Sequence, residues 1–166
     1  MMYQVGEQIV YGIHGVCRVV DSETQMVDRK KRTYLVLEPL NQEGARYLIP
    51  ADNPAAMGKL RPMLTEDAWK RLLESDAVRE DGWIRDENLR KQTYRELISG
   101  GDRERLLQMV HTLYVHKAAQ SAAGKKVHLC DDNFLRDAEK RLAGEIAIAM
   151  NMEQDAAKKY LKDKLK

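Results

Sequence analysis

Phenylalanine occurs once and tryptophan twice, and aromatics make up 6% of the 166 residues, too few to line a large aromatic cavity. Cysteine is equally scarce. Cys17 and Cys130 stand far apart in different kinds of sequence, which excludes a disulfide framework and predicts two free thiols in a reducing compartment. Neither sign of charge predominates: 28 Lys+Arg against 26 Asp+Glu leave a formal net charge of +2. Such a balance excludes a polycation whose affinity rests on phosphate neutralisation alone. No apolar run approaches the roughly 18 residues that span a bilayer. Met1–Glu7 carries neither a basic leader nor a long apolar stretch, so no signal peptide is expected there and the protein is expected to be soluble and cytoplasmic.

Proline is absent from the last 104 residues, because all four (Pro39, Pro50, Pro54 and Pro62) fall between positions 39 and 62. Proline interrupts helix interiors and sheet centres, so this asymmetry marks a change of architecture, with a boundary near Leu64. Up to that point the apolar runs are short and rich in β-branched residues and tyrosine: Gln8–Tyr11, Val16–Val20, Thr24–Val27, Thr33–Leu37 and Ala45–Ile49. Gly12-Ile13-His14-Gly15 and Asn41-Gln42-Glu43-Gly44 read as turns, and the charged stretch Asp28–Arg32 separates two of the strands. Five closely spaced strands predict a small, strongly bent sheet or barrel over residues 1–64.

Beyond Leu64 the apolar period lengthens to about 3.6 and predicts an all-α unit over residues 65–166. Thr65 reads as an N-cap with Glu66 and Asp67 in the first turn, and Leu64 with Trp69 as a hydrophobic staple, for a helix ending near Ser75. A second helix is expected from about Asp86 to Ile98, stopped by Ser99-Gly100-Gly101. Asp102 caps a third that carries Leu106, Val110, Leu113 and Tyr114. A fourth begins near Asp131 or Asp132 and carries Leu135, Ala138, Leu142, Ile146 and Ala149, with small residues that allow close approach of a neighbour. A shorter helix over about Glu153–Leu165 uses Ala157, Tyr160 and Leu161. The whole is therefore an α+β chain with a β unit followed by a compact helical one.

Catalytic chemistry finds little support. His111 and His116 are about 500° apart around a helix axis, on different faces, and no other clustered ligands suggest a metal. Cys17 has only His14 nearby and reads as a small core residue, while Cys130 lacks a partner acid or base. Gly124-Lys125-Lys126 fails as a phosphate loop, since Ala119 stands where a glycine is required and Lys126 where Ser or Thr is. A non-enzyme without cofactor or metal is expected. Basic residues offer more: Lys125 and Lys126 in an interhelical loop, and Arg85, Arg90 and Lys91 beside Trp83. They are either solvated charges or phosphate contacts. Trp83 is either a packing anchor or a side chain that stacks on an unpaired base.

The N-terminal run Val5-Gly6-Glu7-Gln8-Ile9-Val10-Tyr11-Gly12-Ile13-His14-Gly15-Val16-Cys17-Arg18-Val19 resembles the opening of the CarD-like bacterial transcription regulators, V-G-D-x-V-V-Y-x-x-H-G-x-G/A-x-V. Tyr34–Leu37, Ile49–Asn53 and Leu60-Arg61-Pro62 are similar to the family's later blocks in order and spacing. In the helical half, Ser99-Gly100-Gly101-Asp102 resembles its S-G-D turn and Gly144–Ala149 its G-E-L-A-L-A segment. The resemblance implies a small Tudor/SH3-like barrel that binds the β subunit of bacterial RNA polymerase by strand addition, as the same module does in transcription-repair coupling factor. Arg46, Tyr47, Leu48 and Ile49 would form the interacting strand, with Gln25 in the flanking segment. It also implies a helical domain facing promoter DNA, where a tryptophan, here Trp83, wedges at the opened duplex. Arg85, Arg90, Lys91, Lys125, Lys126, Arg136 and Lys140 are its candidate DNA contacts, the last two lying among Asp131, Asp132, Asp137 and Glu139. A monomer that reserves its sheet edge for a partner is expected.

Overall fold

In a computed structural model that describes residues 3–100 and 102–166, the chain divides into two compact units, Met1–Met63 and Leu64–Lys166. Among the described residues no helix is long and apolar enough to cross a membrane.

The first unit contains β1 (Gln8–Tyr11), β2 (Val16–Val27), β3 (Lys30–Pro39), β4 (Tyr47–Pro50), a one-turn helix α1 (Pro54–Met57) and β5 (Leu60–Pro62). They form one antiparallel sheet in the order β4-β3-β2-β1-β5. The α+β expectation holds, but the sheet is open: β4 and β5 are its edges, and the chain passes between them through α1 instead of closing a barrel. Asn53 sets that helix off, its Oδ1 accepting from the backbone N–H of Ala55 and Ala56 at 3.0 and 3.2 Å. Pro54 fits at the first helical position because no helical hydrogen bond is required there.

Alternation along the strands sends Ile9, Cys17, Val19, Leu35, Leu37 and Ile49 to one face, where they form the core with Leu60 and Tyr3. Two expected strands, Val16–Val20 and Thr24–Val27, are one continuous β2. The polar Asp21–Glu23 stretch does not break it, because an irregularity between Val19 and Asp21 bends the strand there. Beyond the Ser22–Leu35 pair, the last with a core residue, β2 and β3 run out of the core as a ribbon, so their polar side chains meet water. Asp28 and Arg29, with φ of 50° and 66°, make the two-residue turn between them. Pro50 is the last residue of β4, and β5 was legible only as a motif.

The second unit consists of α2 (Glu66–Glu74), a 3₁₀ turn (Asp76–Arg79), α3 (Glu87–Gly100), α4 (Arg103–Ala122), α5 (Leu129–Ala149) and α6 (Gln154–Leu165). Thr65 Oγ1 caps α2 through Ala68 N–H at 3.1 Å, and Asp102 caps α4 through Arg105 N–H at 3.1 Å. Asp86 Oδ1 accepts from Leu89 N–H at 2.9 Å at the start of α3. Gly101, part of the expected stop of that helix, lies outside the described residues. The fourth expected helix, α5, begins two residues before Asp131, so its acids sit in the first turn, where the helix dipole favours them. Trp69, Leu73, Tyr94, Leu106, Val110, Leu142 and Ile146 fill one core. Ala138 of α5 and Ala157 of α6 are fully buried in it as expected, Ala143 joins them, and Ala149 is only partly buried.

Candidate functional site

The edge strand β4 is defined by its hydrogen bonds. Register pairs Leu37 with Tyr47, Leu35 with Ile49 and Val36 with Leu48, and Ala51 N–H continues the ladder by donating to Thr33 C=O at 2.9 Å. In an antiparallel pair, bonded and unbonded positions alternate. The Ala51–Thr33 bond therefore places Ile49 and Tyr47 at bonded positions and turns the N–H and C=O of Leu48 outward. Pro50 also falls at an outward position, where its missing N–H costs no ladder bond. Its C=O accepts from Asn53 N–H at 3.2 Å. Among the described residues, the backbone of Leu48 meets no partner on that side. Its side chain is 50% exposed, whereas Ile49 is in the core.

Tyr47 points the other way, into a cluster of three rings. Its ring centroid lies 5.3 Å from Tyr11 and 4.6 Å from His14, and Tyr11 and His14 are 4.8 Å apart. No sequence signal joins these three positions, since the sheet register and the 3₁₀ turn Gly12–His14 bring them together. Arg46 precedes the strand and pairs with Glu38 at 3.1 Å. Gln25 is not beside β4. It lies on the projecting ribbon opposite Arg32, which pairs with Asp52 just past the strand at 3.4 Å.

In the helical unit Trp83 is half-buried and in contact with two side chains. The His116 ring is stacked on it at 3.5 Å and 15°, and the Arg90 guanidinium lies 4.5 Å over its ring. Arg90, expected to face DNA, is instead 5% exposed. It donates to both carboxylate oxygens of Asp131 at 2.8 and 3.1 Å and to Ile84 C=O at 3.0 Å. The fork geometry of guanidinium and carboxylate makes this a structural tie between the starts of α3 and α5. Lys91 pairs with Glu87 at 3.0 Å, which raises the lysine pKa and lowers that of the acid. Arg136 pairs with Asp132 at 3.0 Å. The hydrogen bond from Lys117 is the main cause that holds Asp132 below the usual carboxylate range. Arg85, Lys125, Lys126 and Lys140 are exposed. Gly124, with φ of 72°, turns the chain out of α4 and puts the two lysines in the loop.

Cys17 is wholly buried in the sheet core, and burial pushes its thiol up to about 11. Among the described residues no three His, Cys, Asp or Glu side chains gather to hold a metal. The geometry therefore offers two surfaces for binding: a strand edge centred on Leu48, and a half-buried tryptophan with four exposed cations elsewhere on its unit. Residues 3–63 match the family model for the CarD-like/TRCF RID domain.

Proposed function

We propose that this chain, whose residues 3–63 match the CarD-like/TRCF RID domain family, is an RNA-polymerase-interacting transcription factor that docks on the β subunit of bacterial RNA polymerase through β4. The observation that carries this reading is the outward N–H and C=O of Leu48 beside an exposed apolar side chain. Strand addition takes its affinity from backbone hydrogen bonds and its specificity from alternate side chains. Leu48 supplies both, while Ile49 anchors the strand from below.

Once docked, the helical unit stabilises the open promoter complex by weak, sequence-independent DNA contact. A protein that binds only the melted state shifts the closed–open equilibrium by its differential affinity. About 1–3 kcal/mol changes that equilibrium roughly five- to 150-fold. Tethering makes a weak contact sufficient, because the polymerase has already selected the site and raises the local concentration. Arg85, Lys125, Lys126 and Lys140 carry the contact; Arg90 does not, because its charge is matched internally. The protein acts without a cofactor as a cytoplasmic binding factor, monomeric when free, and not as an enzyme.

A second reading is favoured by the ion pairs of Arg90, Lys91 and Arg136 and by the stacking of His116 on Trp83. In it the helical unit recruits another protein and does not touch DNA. Capture of the purified β subunit by the immobilised chain tests the docking, and Leu48→Asp is expected to abolish it. Full capture by that variant removes the Leu48 side chain from the contact, and full capture by Leu48→Pro as well sinks the docking reading. Neutralising Lys125 and Lys126 then separates the alternatives: loss of open-complex stabilisation supports DNA contact, and an unchanged effect supports the adaptor.

A further inference from the structure

β1 pairs with β2 only over Val16–Arg18, and β4 pairs with β3 only over Tyr34–Leu37. Because Ala51 N–H still bonds to Thr33 C=O, the three outermost residue pairs, from Gln25–Arg32 to Val27–Lys30, form a two-stranded ribbon about 10 Å long. Its end carries Arg29, Lys30, Lys31 and Arg32, half of the eight Lys and Arg in residues 1–63. The residues across from the last three are Val27, Met26 and Gln25, none of them charged. Among the described residues, only Arg32 of the four has an ion-pair partner, Asp52. Alternation sends Lys30 and Arg32 to one face of the ribbon and Lys31 to the other, with Arg29 at the apex.

The apex itself is unusual. Arg29 has a left-handed backbone, φ 66°, at a position where a two-residue hairpin turn favours glycine. Strain at such a position points to a use for the side chain.

We propose that the tip of this ribbon inserts between the phosphate strands of duplex DNA, with Arg29, Lys30 and Lys31 on the backbone phosphates. The major groove, about 12 Å wide, admits a two-stranded ribbon. A groove flanked by phosphates on both sides matches cations on both faces, whereas a flat acidic protein surface meets only one. This contact lies in the sheet unit, is separate from the Leu48 edge, and does not require that polymerase docks there.

The test uses the full chain and a fluorescently labelled duplex of arbitrary sequence, with anisotropy followed over a range of salt concentrations. Each phosphate contact contributes about 0.9 to the slope of log K against log salt. Arg29→Gly is expected to lower the slope by about one and to leave the melting temperature at or above that of the wild type. The triple variant R29G/K30Q/K31Q is expected to lower it by about 2.7. Equal slopes for the wild type and the triple variant overturn the proposal, as does an absence of binding by the wild type at low salt. A triple variant that keeps the duplex slope but loses capture by the polymerase also overturns it, and assigns the tip to an acidic protein surface. Leu48→Asp is expected to keep the slope, so failure of the docking reading leaves this result standing.

Discussion

His116 lies face to face with Trp83, ring centroids 3.5 Å apart and planes inclined by 15°. The stack desolvates the imidazole, and burial is the main reason its pKa falls below the ordinary histidine value. Asp131 pulls the other way and Arg90 adds to the fall. The unfolded chain therefore binds a proton at a pH where the folded chain does not, and stability rises with pH in that window. The contribution is complete above about pH 6.5 and is lost as pH falls through the lower folded-state value. Thermal melts of the wild type should decline over this range more than melts of His116→Gln, whose side chain does not titrate. Parallel declines would show that the stack does not control the proton.

Arg90 and Asp131 form a second relationship with energetic consequences. Both are almost wholly buried, so removing one leaves an uncompensated charge in the core. Asp131→Ala is expected to cost about 3–5 kcal/mol in denaturant unfolding. Arg136→Ala, which breaks a pair whose arginine is 75% exposed, is expected to cost less than about 1 kcal/mol. Replacing Arg90 and Asp131 together by apolar residues should be milder than the sum of the two single losses. Similar costs for the buried and the exposed pair would refute this account of α3 and α5.

How far these features were legible follows from their range along the chain. Helix starts were readable because caps are local: Thr65 and Asp102 bond to residues three positions on. The fused β2 was not, since whether Asp21–Glu23 ends a strand depends on whether the strand has left the core. The open sheet depends on α1, a single turn between Pro50 and Leu60 that periodicity cannot register. Within the site, Leu48 and Tyr47 were placed on a strand correctly, but which of them faces out required the pairing with β3. Arg90 was misplaced for a similar reason. A basic residue beside a tryptophan looks the same in sequence whether or not an acid 41 positions away closes over it.

The two cysteines provide a chemical check on the sheet core. With a pKa of about 11, Cys17 holds only about one part in ten thousand as thiolate at neutral pH, and it is the thiolate that reacts. Cys130 is only partly buried. Alkylation of the native chain near pH 7, followed by mass spectrometry, should therefore add one group, on Cys130. The unfolded chain should take two. Rapid modification of native Cys17 would mean that the space between β1, β2 and β3 opens readily.

The Leu48 and Ile49 backbones differ in what each N–H is for, and proline substitution separates them. At Leu48 the N–H points away from β3, so Leu48→Pro removes no bond of the internal ladder. Tyr47, the residue before it, is already extended, which proline requires of its predecessor. At Ile49 the N–H faces Leu35, so Ile49→Pro removes a ladder bond and disturbs a core side chain. Ile49→Pro is expected to lower the melting temperature sharply, and Leu48→Pro only slightly. Polymerase capture should nonetheless fail for Leu48→Pro, because the donor needed by an added strand is gone. Leu48→Asp disables the side chain and leaves the donor in place. If it binds while Leu48→Pro does not, the contact is carried by the backbone alone; if Leu48→Pro binds as the wild type does, strand addition at β4 is excluded.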